Sequence, residues 1–465
     1  MISTGVLILE GSKTYGKYKK RSLYKCIPYK KTDYPILIPY EIKLEFSKHN
    51  SNKFVSYQVI DIDQNIGQLY EVFGDVDDLN AFYEYQYVSR GLRIPKSLKK
   101  LSPHPINNSR QIKDRPIKDR PIKDRRNEQV ITIDNEKTED YDDAFSIQPI
   151  ENGYWKLSIY ITNVVQYMTS EQWDKLREKV VSNIYLPHRK ISILPSENVS
   201  LKEGSERYVI GIDIIMDSEQ NLVQSQIIEA FVRIQKNHSY ESHELLRDPI
   251  YQNLVNFSPK GLDNSHSLVA HWMEYYNTFM ASILYERGIF VHHYPFKPTN
   301  FAWYKTKDNP KGYYFYDELS STGQPYTHCT SPIRRIVDLY NQSVLLDLNW
   351  TPPDISFLNE KNKQIRKCQQ DCSLMQVCFH RTEIMNTLLE GTILDVEKKG
   401  DNKYKYSVYI QETPLASTES PSLKLVTRMT STIEYSLLSQ HRFKLFLFKD
   451  EHSISKKIKV EIFTD

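Results

Sequence analysis

Hydrophobic and polar positions alternate with a two-residue period through much of the first ninety residues. Ile42, Leu44 and Phe46 are interleaved with Glu41, Lys43 and Glu45, and Val55, Tyr57 and Val59 keep the same period. That is the pattern of half-buried strands. Short strands joined by polar turns up to about Pro95 predict a small barrel of the OB type, a frequent binder of single strands. A packing module with no ligand would carry the same pattern. The alternation then gives way to a repeat, Ile112-Lys-Asp-Arg-Pro, Ile117-Lys-Asp-Arg-Pro and Ile122-Lys-Asp-Arg-Arg126. Charges and prolines at a five-residue period cannot bury a core, so an exposed linker or insertion is expected. Its mixed charge suits a spacer better than a nucleic-acid-binding arm.

Beyond the repeat the pattern is mixed. Val130 to Ile133 is apolar. Trp155, Leu157, Ile159 and Ile161 alternate as a strand, as do Ile210, Ile212, Ile214 and Met216. Helical spacing is expected over Ser170 to Val181 with Ser170 as N-cap, over Ser265 to Arg287 with Gly288 as the stop, and over Asn359 to Leu389 ending at Gly391. Strands return at 392–396, 404–410, 443–448 and 458–462, as in a second small barrel. Strands and helices alternating in the middle of the chain predict an α/β or α+β unit there.

Two short stretches carry chemistry. In the first, Asp134-Asn-Glu-Lys-Thr-Glu-Asp-Tyr-Asp-Asp143, four aspartates (Asp134, Asp140, Asp142, Asp143) lie within ten residues between apolar segments. An extended backbone puts Asp140 and Asp142 on one face and Asp143 on the other, and a loop could return Asp134 to them. Carboxylates held this close need positive charge, which hard divalent cations supply best. A calcium loop of the EF-hand type fails, because Phe145 stands where its glycine is required. The second stretch is Thr327-His-Cys-Thr-Ser-Pro-Ile-Arg-Arg335. Ser331 followed by Pro332 reads as a helix start, with Ile336, Val337, Tyr340, Val344 and Leu345 as the apolar face. Arg334 and Arg335 would then sit at the positive end of the helix dipole, unfavourable by roughly 0.3–1 kcal/mol each unless an anion binds there.

At 465 residues the chain is long enough for two or three domains, and its 40% hydrophobic and 26% charged residues fit a globular protein. A net charge of +3 leaves any nucleic-acid affinity to local patches, such as Lys13 to Lys31. The 33 tyrosines could stack on bases or simply fill cores. Five cysteines suggest a reducing compartment. Cys368, Cys372, Cys378 and His380 lie close together, but helical spacing argues for buried thiols against zinc. No apolar run reaches membrane-spanning length and Val6 to Leu9 is too short for a signal-peptide core, so a cytoplasmic protein is expected.

A carboxylate cluster for metal and an arginine-bearing helix start for phosphate add up to phosphoryl transfer, and here the sequence resembles the RNB family of exoribonucleases. The resemblance rests on Thr132-Ile-Asp134 with Asp140-Tyr-Asp-Asp-Ala144, and on Thr330-Ser-Pro-Ile-Arg-Arg335 followed by Asp338-Leu339. Tyr185-Leu-Pro-His188, Leu194-Pro195, Leu201-Lys-Glu-Gly204 with Arg207, and Ser239-Tyr-Glu241 are similar to other family segments. It implies a multidomain α+β chain with a central mixed α/β catalytic domain flanked by small OB or cold-shock-like β-barrels. The expected boundaries are a barrel at 1–100, a linker at 101–128, the catalytic domain at 129–390 and a degenerate RNA-binding barrel at 391–465. Residues 65–92 are similar to the family's second cold-shock-like domain.

The resemblance further implies a monomeric, magnesium-dependent hydrolase that removes nucleoside 5′-monophosphates from the 3′ end of single-stranded RNA. Asp134, Asp140, Asp142 and Asp143 would hold one or two Mg²⁺, with Mn²⁺ as a substitute. Arg334 would stabilise charge on the scissile phosphate, Tyr185 would clamp the terminal nucleotide, and Thr330, Ser331 and Arg335 would line the substrate. Three positions depart from the family pattern: Asn163 for an aspartate, Gln342 for a histidine and Gln369 for a glutamate. They keep open a catalytically weak or inactive RNA-binding protein, and a DNA exonuclease is a further alternative.

Overall fold

The computed structural model describes residues 2–30, 34–42, 50–95, 121–262, 264–284, 287–291, 313–315, 325–399, 402–411, 424–451 and 453–463. Its first unit is built from β1 (Ile2–Leu7), β2 (Lys17–Tyr18), β3 (Arg21–Pro28), β4 (Ile36–Tyr40), β5 (Lys53–Asp61) and β6 (Ile66–Asp75). The order β1-β5-β6-β4-β3-β2 closes through a β1–β3 pairing, and β4 runs parallel to β6. This is a small closed barrel, so no long edge is left to pair with another chain. Leu7, Tyr24, Cys26, Ile38, Val55 and Tyr57 fill it. A helix the alternation did not foretell, α1 (Leu79–Ser89), follows, capped by the Asp78 carboxylate accepting from the Ala81 amide at 2.8 Å.

The central sheet has the order β15-β8-β9-β10-β13-β14-β7. Its strands are β7 (Lys123–Arg125), β8 (Ile131–Asp134), β9 (Asp143–Pro149), β10 (Trp155–Thr162), β13 (Glu206–Met216), β14 (Leu222–Arg233) and β15 (Lys236–Ser239), with a hairpin of β11 (Ile184–Leu186) and β12 (Arg189–Ile191) standing apart. The outer pairs β15–β8 and β14–β7 are parallel and the inner ones antiparallel. Leu157, Ile159, Ile161, Ile210, Ile212 and Ile214 face the main core, while Tyr160, Val209, Ile228 and Val232 pack on the other side. A sheet covered on both faces positions its strand ends firmly, and Asp134 and Asp143 lie on such ends.

The helices around it are α2 (Ser170–Arg177), α3 (Ser265–Ile283), α4 (Ile336–Leu345) and α5 (Ile355–His380). The N-cap of α2 is Thr169, in a capping box with Gln172, and not Ser170. Asn264 and Asp354 cap α3 and α5. Helix α3 ends at Ile283, short of Gly288, whose added Cβ would meet Leu284 at 2.9 Å. A last sheet, β20-β19-β18-β21-β22, is built from β18 (Leu389–Lys398), β19 (Tyr404–Gln411), β20 (Lys424–Ser431), β21 (Gln440–Leu447) and β22 (Ile458–Phe463), preceded in the chain by the small pair β16 (Ile289–Val291) and β17 (Tyr313–Phe315). Among the described residues no helix is long and apolar enough to cross a membrane.

The structure corrects three further expectations. The last copy of the charged repeat is not an exposed spacer: Lys123–Arg125 is edge strand β7, paired with β14. Arg125 is buried, its guanidinium on both Asp213 oxygens at 2.7 and 2.5 Å and on Tyr160 Oη at 3.0 Å. A charge can be buried when every donor has a partner, which composition alone does not reveal. Helix α5 stops at His380 instead of running to Leu389, because Arg381 leaves helical geometry (φ −109°, ψ 70°). Gly391 is therefore no helix stop. It lies inside β18, where an added Cβ would fall 2.7 Å from the Phe443 ring. Third, Ser331-Pro332 does not begin a helix; α4 begins at Ile336. The expected alternation at Leu44 and Phe46, and repeat residues 112–120, lie outside the described residues.

Candidate active site

Asp134 ends β8 and Asp143 begins β9. These are antiparallel neighbours, so the fold returns Asp134 to its partner as the spacing suggested. The connecting loop is strapped to the residues after the hairpin: Tyr141 N–H donates to Ser200 Oγ (2.9 Å), Ser200 Oγ–H to the Glu139 carbonyl (2.9 Å), and Leu201 N–H to the Tyr141 carbonyl (3.0 Å). Asp140, Asp142 and Asp143 are 8, 1 and 7% exposed. Burial removes hydration from all three, and four carboxylates in so small a space repel one another.

Residues 331–335 form a compact turn in place of a helix start. The amides of Arg334 and Arg335 both donate to the Ser331 carbonyl, at 3.2 and 3.0 Å, and Arg335 is extended (φ −140°, ψ 128°). Asp338, fully buried in α4, holds the turn from below by accepting from the Ser331 amide and the Arg335 guanidinium, each at 2.8 Å. An internal carboxylate thus answers the dipole problem that the arginines posed. Thr330 and Ser331 are buried within this turn and present no open face, while Arg335 is occupied by Asp338.

The turn delivers Arg334 to the acidic loop. Its Nε donates to Asp142 Oδ2 at 2.9 Å, and the Ile333 amide donates to Asp142 Oδ1 at 3.0 Å. The Arg334 side chain keeps 46% of its exposure, so one edge faces solvent. Alongside, the Asn183 amide donates to the Arg334 carbonyl (2.9 Å) and Asn183 Nδ2 donates to Asp140 Oδ2 (3.1 Å). Tyr185, on β11, is 45% exposed and lies near Arg334. Its amide donates to Gln369 Oε1 of α5 at 3.0 Å.

Three residues here were not singled out by their spacing. Lys190 Nζ donates to Asp140 Oδ2 and Glu139 Oε2, both at 3.0 Å. Asp338 carried only its place after the arginines, though an acid three residues beyond an arginine is a signal of a local pair. Tyr240 donates its amide to the Asp134 carbonyl at 2.9 Å, stacks on His266, and has its hydroxyl pKa raised by burial and by the charges of Asp143 and Asp134. The departing residues are also placed. Gln342 Nε2 donates to the Thr162 carbonyl at 2.8 Å, and Asn163 is buried with its Oδ1 unpaired.

The electrostatics calls for a cation. Burial first, then the charge of a neighbouring aspartate, raises Asp134 and Asp143 well above the usual carboxylate range. Burial pushes Asp142 up to about 7, against Arg334 and the Ile333 amide. Asp134 Oδ2, Asp140 Oδ1 and Asp143 Oδ2 are buried without any hydrogen-bond partner. Each unpaired buried oxygen costs on the order of 1–3 kcal/mol. Three hard oxygens in that condition fit Mg²⁺ or Mn²⁺ in chemistry, although among the described residues no three side chains yet converge as a metal cage.

Comparison with known proteins agrees with this architecture. Residues 122–249 match the RNB domain family model. Ribonuclease R of Mycoplasmopsis pulmonis is 29% identical over 144 residues, covering 29% of this chain and 20% of that one. The matched segment thus spans about a fifth of that curated relative. Among solved structures, Mycoplasma genitalium RNase R in complex with ribose-methylated single-stranded RNA superposes with a TM-score of 0.69 at 15% identity, covering 99% of this chain and 89% of that one. Yeast Ssd1, a pseudonuclease, does so with a TM-score of 0.59 at 14% identity, covering 87% and 63%. At such identities the likeness establishes the fold. It extends well past the matched segment, through both flanking β-units, and the matched domain carries the four aspartates. On that combination the chain carries an RNB domain over residues 122–249, set in a fold like that of RNase R.

Proposed function

We propose that the protein is a magnesium-dependent hydrolytic exoribonuclease that shortens single-stranded RNA from its 3′ end, releasing nucleoside 5′-monophosphates. The observation that carries this reading is the set of three buried, unpartnered carboxylate oxygens, on Asp134, Asp140 and Asp143, beside the Asp142–Arg334 pair. These residues would hold the ion. When bound, it neutralises the phosphate and lowers the pKa of an attacking water.

The chain's own side chains do the rest. Arg334 is fixed through Nε by Asp142, and its half-exposed edge is aimed by the turn to meet an equatorial phosphate oxygen as charge builds there. Asp142, committed to Arg334 and the Ile333 amide, orients the arginine. Tyr185 offers an exposed ring on a fixed hairpin for the terminal base; such stacking contributes about 1–3 kcal/mol per base. Thr330, Ser331 and Arg335 act through the turn, with Asp338 beneath them. The OB-type barrel suits a role in gripping the strand.

Two observations favour a second reading, an RNA-binding protein without turnover. Asp140 and Asp142 already have cationic partners, and the fold is shared with a pseudonuclease. Purified protein with Mg²⁺ and 3′-labelled RNA separates the two. Release of labelled mononucleotide, lost in Asp142→Asn, supports the enzyme, whereas binding without release, unchanged in that variant, supports the binder. Competition between matched RNA and DNA strands tests the preference for RNA.

A further inference from the structure

Lys190 belongs to the acidic site, and nothing in the hydrolytic scheme has used it. Resting on the proposed metal-dependent reading, we propose that Lys190 is a built-in cation that takes the place of a second divalent ion, so that the cluster accepts one ion only.

The argument begins with the oxygens. Of the four aspartates, Asp142 has both oxygens committed, to the Arg334 guanidinium and the Ile333 amide. Asp140 has one oxygen committed, Oδ2, to Lys190 at 3.0 Å and Asn183 at 3.1 Å. The oxygens without partners are Asp134 Oδ2, Asp140 Oδ1 and Asp143 Oδ2. Two of the four negative charges are therefore answered by side chains. The two that remain match one divalent ion in charge, which Asp134 and Asp143 on neighbouring strands would hold with water completing the shell. Glu139, the other partner of Lys190, is 71% exposed and already hydrated, so Asp140 is the group that needs the ammonium.

The placement of Lys190 is also built. It is paired across the hairpin with Tyr185, so one small element presents both side chains. That element is clamped from two sides. Glu84 of α1 takes Arg189 through both oxygens (2.7 and 2.8 Å) and pairs with His188 (3.0 Å), and Tyr83 stacks on the His188 ring at 5.1 Å. Gln369 of α5 holds the Tyr185 amide from the other side. A flexible lysine gains from such restraint, because a hairpin already ordered leaves only the side chain to immobilise.

The test is Mn²⁺ titration of the full chain, with free Mn²⁺ read by electron paramagnetic resonance, for wild type, Lys190→Gln and Lys190→Arg. One bound Mn²⁺ in wild type and Lys190→Arg, and a second in Lys190→Gln with at least about tenfold tighter binding than any second ion in wild type, supports the assignment. Two comparable ions in wild type overturn it, and so does a single ion of unchanged affinity in all three proteins. Hydrolysis of 3′-labelled RNA is followed in parallel. One ion bound with no nucleotide released defeats the proposed activity and leaves Lys190 in its role; no Mn²⁺ bound at all defeats both.

Discussion

At the scale of single residues, the acidic site stores unfavourable electrostatics in the metal-free chain. Asp134 and Asp143 are buried neighbours, each raised by burial and by nearby negative charge. Asp143→Asn removes one of those charges, so the variant should lose about 10²-fold or more of its nucleotide release. In chelator its melting temperature should equal or exceed that of wild type, because the deleted charge had no partner at Oδ2. A variant that melts lower in chelator while keeping its activity would contradict this account. Arg125 sits at the opposite extreme. Its guanidinium is matched by Asp213 and Tyr160, and Glu128 accepts in turn from Tyr160 and Lys156, at 2.8 and 2.7 Å. Arg125→Ala should destabilise the fold by about 3–5 kcal/mol, since it strands Asp213 in the sheet interior; denaturant unfolding measures it.

At the scale of elements, the hairpin β11–β12 is the piece on which the proposed nucleotide contact and the charge compensation meet. Ile184, Leu186 and Ile191 root it in the main core, and its outward side is held by Glu84 from α1 and Gln369 from α5. Glu84→Ala should therefore raise KM for short RNA several-fold, about 1 kcal/mol, the size expected of a partly exposed ion pair. Melting temperature should change little, and a loss of kcat with KM unmoved would place the hairpin's role elsewhere. The altered position Gln369 has a local meaning here as well. A neutral amide oxygen accepts the Tyr185 N–H, so the hairpin is held without adding a further negative charge beside the acidic loop.

At the scale of the whole molecule, the flanking β-units share the main core with the centre and are fastened by specific polar contacts as well. Arg90, the C-cap of α1, reaches Asp371 of α5, and Lys457, just before β22, donates to the Val76 carbonyl of the N-terminal unit at 2.9 Å and to the Lys449 carbonyl. Lys457 is 1% exposed, and burial, opposed by Asp450, Asp77 and Glu451, lowers its pKa to about 8. The folded value lies below the unfolded one, so between about pH 8 and 10.5 the unfolded chain binds more protons and stability rises with pH. Below pH 8 the desolvation penalty is present in full. Relative to Lys457→Met, wild type should gain about 1–3 kcal/mol between pH 7.5 and 10, read from paired denaturant melts. Parallel curves for the two proteins would refute the buried ammonium.

The sequence by itself determined the chemistry of the site and the broad alternation of strands and helices. Four aspartates between apolar strands, and a pair of arginines far downstream, were legible because residue type and local period are properties of the chain alone. The partnerships were not. Asp142 with Arg334, Asp140 with Lys190 and Arg125 with Asp213 join residues 192, 50 and 88 positions apart, and no local pattern encodes such distances. Local rules also misread Ser331-Pro332 as a helix start, because Asp338 from the helix beyond stabilises a turn there instead. The spacing of Asp134 to Asp143 announced a need for positive charge. Only the tertiary structure decided that two of those charges come from the chain itself, because it alone brings Arg334 and Lys190 to carboxylates that burial leaves no water to satisfy.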